Sequence, residues 1–116
     1  MSTTHKHLAH ALPADIWSTA DAGNHLQDNG VPLDMVAFEA ENDRRAWFAL
    51  EAVTTYAKRT GIYTGESIFV AIQDLLGDLM HLFDALRAVD EDYARDIDAA
   101  LDYARTAYLA EVNGQP

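Results

Sequence analysis

An all-α helical bundle is the fold class this sequence predicts, with three long helices at about 35–59, 66–89 and 91–112 and a short N-terminal helix. Three observations point to it. Between Glu66 and Ala88 the apolar residues Phe69, Ile72, Leu76, Leu79, Phe83 and Leu86 recur at alternating steps of three and four, one face of a helix. The stretches Met35–Tyr56 and Tyr93–Val112 keep the same period. No stretch alternates with the period of two that marks a strand: Ile62-Tyr63 is too short, and Ser67–Ile72 runs into a helical repeat.

Residues 1–12 read as a loose tail. His5, His7 and His10 stand close together there, but capturing a metal would cost an unstructured segment backbone entropy, so a solvated tail is expected. Pro13 suits the first turn of the short helix, running to about Ala22 with Leu12, Ile16, Trp17 and Ala20 inward. Gly23 to Pro32 is rich in turn residues and reads as a connector.

Asp34 is the expected N-cap of the helix at about 35–59, whose stripe is Met35, Phe38, Ala46, Ala49, Leu50, Val53 and Tyr56. Glu41 precedes Arg45 by four residues, an exposed pair worth ~0.3–0.5 kcal/mol. Lys58 and Arg59 complement the carbonyl end of the dipole, and Gly61 ends the helix.

Thr64 is expected to cap the central helix. A second apolar row, Ile68, Leu75 and Leu82, widens its face until the polar strip is only Asp74, Gly77, Asp78, His81 and Asp84. Such a helix should be enclosed by neighbours. Gly77 in mid-helix either admits a close neighbour or is simply tolerated. Asp90 is the expected cap of the last helix, whose stripe is Tyr93, Ile97, Leu101, Ala104, Tyr108 and Val112, with Gly114 as its stop. The short joint Ala88–Asp90 predicts antiparallel packing of these two helices. The central face slightly exceeds what two neighbours would cover, so a homodimer is expected to bury the remainder.

Composition bounds the function. The 116 residues fit a single domain over 13–116. The absence of cysteine excludes disulfides and thiolate chemistry. No run approaches the ~18 apolar residues of a membrane helix. The N-terminus lacks the apolar core of a secretory signal, so no membrane association and a cytoplasmic location are expected. Net charge is −11 and uneven: residues 1–60 carry five basic and eight acidic side chains, residues 61–116 three and eleven. A phosphate backbone is repelled by such a surface, so direct nucleic-acid binding is disfavoured. A protein with a basic surface is the expected partner.

Two constellations bear on chemistry. Asp74, Asp78 and His81 lie at i, i+4 and i+7 of one helix, a row able to offer two carboxylates and an imidazole to a divalent cation such as magnesium. The plainer reading is a water-facing strip. The second helix offers Glu39, Asp43 and Glu51 to complete a site, and no second D/E-x-x-H is present. The last segment carries Glu91, Asp92, Asp96, Asp98 and Asp102, carboxylates that on a rigid helix imitate a phosphate backbone and bind a nucleic-acid-binding protein. No nucleophile elbow or phosphate-binding loop is present, so no catalytic residue and no cofactor are assigned.

The text from Asp74 to Glu111 resembles small helical reading frames of actinobacterial and proteobacterial genomes, phages and plasmids, which show D-L-L-x-D-L-x-H-x-x-D-A followed by a helix ending Y-x-x-E. The match falls on Asp74, Leu75, Leu76, Asp78, Leu79, His81, Asp84, Ala85, Tyr108 and Glu111, about a third of the chain. This resemblance implies a mobile-element context. The segment is also distantly similar to the all-α nucleotide pyrophosphohydrolases, whose E-x-x-E and E-x-x-D helices hold magnesium. Asp78 aligns with the aspartate of the second motif, but Leu75 stands where its glutamate would be, and the nearest text to the first is Glu39-Ala40-Glu41. The leading expectation is therefore a non-enzymatic acidic interaction module, a regulator or inhibitor of phage or plasmid type. The alternatives are a metal-binding bundle or degenerate pyrophosphohydrolase, and a dimeric structural module without ligand.

Overall fold

A computed structural model of the chain describes residues 16–29 and 41–113. It is all-α, with helices α1 (Thr19–Asn29), α2 (Glu41–Thr60), α3 (Ile68–Val89) and α4 (Ile97–Val112). Among the described residues the sole extended pairing is one antiparallel bridge, Ser18 to Ser67. The histidine tail, the Pro13 helix start, the Asp34 cap, Met35, Phe38, Glu39 and the Gly114 stop lie outside the described residues. No helix among those described is long and apolar enough to cross a membrane. By backbone proximity the chain separates into two compact units, Met1–Gln73 and Asp74–Pro116, with the boundary inside α3.

In the first unit α1 starts later than expected and runs through Gly23 and Asn24, residues anticipated in a connector. A capping box explains the start. The Asp21 amide donates to Ser18 Oγ at 3.0 Å, and the Ser18 amide donates to the Asp21 carboxylate at 3.3 Å. Ser67, not Thr64, opens α3: its Oγ accepts from the Val70 amide at 3.2 Å. The two helix starts are clasped together by main-chain bonds. The Ile68 amide donates to the Trp17 carbonyl, and the Ala20 amide donates to the Tyr63 carbonyl at 3.3 Å. Amides that a helix start leaves without an intrahelical acceptor are thereby satisfied.

Among the described residues, α1 and α2 are the helix pair with sustained backbone proximity. The core is made of small and medium side chains: Ala22, Leu50, Val53, Ala57 and Ala71, together with Thr19. Leu50, Val53 and Ala57 follow the i, i+3, i+7 spacing of one α2 face. The Trp17 ring closes over His25, with centroids 4.7 Å apart, and the Lys58 ammonium sits 4.8 Å from the Tyr63 ring centre. α2 ends as expected at Gly61, whose φ is +81°. The Ile62 amide donates to the Ala57 carbonyl at 2.9 Å and the Gly61 amide to the Lys58 carbonyl at 3.4 Å, the two bonds of a Schellman motif.

The central helix departs most from expectation. Ala71 is the buried residue of α3. Phe69, Ile72, Leu76, Met80, Leu82, Leu86 and Val89 are all exposed, Phe69 at 59% and Val89 at 88%. Among the described residues the anticipated enclosure by α4 is not formed. That helix begins at Ile97 rather than near 91, buries none of its residues and shares no sustained contact with α3. A Cβ built on Gly77 meets nothing within 4 Å, so that glycine is tolerated and not required for close approach.

Three substitutions test this account by chemical denaturation, read as midpoint shifts at unchanged slope. Gly61→Ala should cost about 1–2 kcal/mol, because alanine is strained in the left-handed region. Gly77→Ala should stabilise by roughly 0.5–1 kcal/mol through helix propensity. Thr19 is fully buried, and its hydroxyl has no hydrogen-bond partner among the described residues; Thr19→Val should therefore stabilise by roughly 1 kcal/mol.

Candidate protein-interaction surface

The densest run of charge follows α3. Residues 90–102 hold six carboxylates and one guanidinium. The segment opens with a turn: the Tyr93 amide donates to the Asp90 carbonyl at 2.9 Å and the Asp92 amide to Asp90 Oδ1 at 3.1 Å. Tyr93 then stacks on Phe83, with ring centroids 6.4 Å apart and planes inclined by 18°. Arg87 ties the turn from the other side, pairing with the Asp84 carboxylate and donating from Nη1 to the Arg95 carbonyl at 2.8 Å.

These contacts hold residues 91–96 out of the helix expected there, which corrects both the cap and the face. Asp96, not Asp90, is the N-cap, with extended backbone and a carboxylate accepting from the Ala99 amide at 3.0 Å. Glu91 and Asp92 consequently lie in the turn, while Asp98 and Asp102 stand one turn apart on α4. All five carboxylates are exposed. The guanidinium of Arg95 lies 5.2 Å from the Tyr103 ring centre. Among the described residues no cation pairs with Glu91, Asp92, Asp98 or Asp102. The surface therefore joins uncompensated carboxylates to exposed apolar groups on α4, namely Leu101, Tyr103, Tyr108 and Leu109.

Asp74, Asp78 and His81 are exposed on α3 and keep their expected spacing. The structure does not bring them together with acids of other helices: among the described residues no group of three or more His, Asp or Glu side chains is arranged to hold a metal ion. Asp84, which continues the row, is engaged by Arg87. Leu75, at the position where the pyrophosphohydrolase motif has its glutamate, is half-buried.

One feature escaped the sequence. In the first unit a cleft of about 380 Å³ is lined by Asn24 and Gln27 of α1 and by Trp47, Glu51, Thr54 and Thr55 of α2. The polar pairs at 24/27 and 51/55 have helical spacing, but that signal became readable only once α1 extended past Gly23.

The N-cap assignment is open to test. Asp96→Ala should cost about 1 kcal/mol and fray the start of α4 in amide exchange, whereas Asp96→Asn, itself a good cap, should stay within a few tenths of a kcal/mol.

Comparisons of the chain with protein-family models, with curated proteins and with solved structures find no match, so the chemistry of this surface has to be taken from its own residues.

Proposed function

We propose that this protein is a non-enzymatic, acidic interaction module that occupies the basic surface of a protein partner, as a small regulator or inhibitor carried by a phage or plasmid does. The observation that carries the reading is the segment 90–102, where Glu91, Asp92, Asp98 and Asp102 are exposed and, among the described residues, without a paired cation. The nearby arginines are engaged elsewhere on the surface, Arg87 with Asp84 and Arg95 over the Tyr103 ring. A field of one sign steers an oppositely charged partner and raises its association rate. Exposed Leu101, Tyr108 and Leu109 supply apolar contact on the same helix, and apolar contact with good packing sets the lifetime of a complex more than rim charge does. A basic, nucleic-acid-binding surface is the complement of such a patch, because its cations are already arrayed for anions on a rigid scaffold.

The test uses the immobilised full chain, with retained host proteins identified by mass spectrometry. A nucleic-acid-binding protein should be held at low salt and released as ionic strength rises. The variant Glu91→Gln/Asp92→Asn/Asp98→Asn/Asp102→Asn, which keeps the Asp96 cap, should weaken that capture at least about tenfold, or ~1.4 kcal/mol. Capture unchanged in this variant would remove the segment from the interaction.

A further inference from the structure

We propose that α3 is the seam of a homodimer, the occupant of its exposed face being the same helix of a second copy. The spacing of the apolar stripe fits a heptad as well as a straight helical face. Phe69, Ile72, Leu76, Leu79, Phe83 and Leu86 alternate steps of three and four, a 3.5-residue repeat that fills the a and d positions of a heptad. Four of the six are exposed, while Leu79 and Phe83 are half-buried, Phe83 under Tyr93 of the same chain, so most of the seam is left open within one chain.

Charge decides whether a like copy is admissible. A chain of net charge −11 repels itself, and carboxylates flanking the seam would forbid the pairing. On α3 they do not flank it. The e and g positions hold Gln73, Leu75, Met80, Leu82, Arg87 and Val89, with no acid among them. Asp74, Asp78 and Asp84 all fall at b, c or f, the positions that face away from a partner helix. The acidic segment 90–102 follows the helix and is not part of it. A basic partner would instead favour carboxylates at e and g. Their absence is the reason for assigning the face to a second copy.

The area is sufficient. Seven exposed large apolar side chains lie on α3, each roughly half-exposed apart from Val89. At ~150 Å² per large apolar side chain they present on the order of 500 Å². A stable interface buries ~800 Å² per partner, of which about 60% is non-polar. The face therefore meets the apolar requirement of a two-fold, isologous contact. The apolar g row beyond a and d, Leu75, Leu82 and Val89, widens the contact along one side of that seam.

Sedimentation velocity of the full chain over a wide concentration range tests the proposal. The wild type should sediment at twice the chain mass, and Leu76→Glu/Met80→Glu should raise the dissociation constant at least about 100-fold, or ~2.8 kcal/mol, with helical circular dichroism retained. Leu76→Ala/Met80→Ala, which adds no charge, should weaken the dimer in the same direction and serves if the glutamate variant does not fold. The outer variant Asp74→Asn/His81→Gln and the carboxylate-neutralised variant of residues 91–102 should both remain dimeric, which separates this contact from capture of a basic partner. A wild-type monomer at every concentration overturns the proposal. Such a monomer would assign the face to a different protein if it binds a hydrophobic dye, and to another segment of this chain if it does not. A dimer insensitive to both seam variants overturns it as well.

Discussion

The first unit depends on one set of contacts, the main-chain clasp between residues 17–20 and 63–68. Each helix start presents amides with no acceptor in its own helix, and leaving them buried and unpaired is costly. Here Trp17 and Tyr63 carbonyls, with Ser18 and Ser67 hydroxyls, supply acceptors across and within the two starts. With the starts fixed, alanines at 22, 57 and 71 can be fully enclosed in a core that has little large aliphatic material of its own. Geometry carries more of this core than bulk does.

Elements with sustained periodicity and strong punctuation were legible from residues alone. The all-α class, the end of α2 at Gly61 and the end of α3 at Val89 all follow from local rules that the structure obeys. The starts of α3 and α4 were misplaced for a shared reason. Several residues able to cap stood within a few positions of each other, and the choice was made by contacts distant in sequence. Ser67 was selected over Thr64 by its bridge to Ser18, and Asp96 over Asp90 by Tyr93 stacking on Phe83 and by Arg87 reaching the Arg95 carbonyl. Capping propensity ranks these residues as near equals, so propensity alone does not choose.

The acidic residues were legible in number but not in placement. Glu91, Asp98 and Asp102 share a helical face, with Asp92 alongside, if the helix starts at 91; with α4 starting at Ile97 they are divided between a pinned turn and the first turns of a helix. That arrangement holds the carboxylates in two orientations on a short stretch of chain. The row Asp74, Asp78, His81 was correctly placed on one helix, but a row on a single helix is not a coordination sphere. The burial of α3 was the least legible quantity, since an apolar stripe says that a face needs company and not whether the same chain provides it.

The spacing along α3 also constrains the shape of whatever lies against it. A 3.5-residue repeat on an α-helix drifts by ~20° per heptad, so over the two and a half heptads from Phe69 to Leu86 the stripe rotates by roughly 50° about the axis. A straight rod laid alongside would lose contact before reaching the far end. Any helix that follows the whole stripe has to wind around α3 with a left-handed supercoil, and the handedness of that assembly is thus written into the intervals between six side chains.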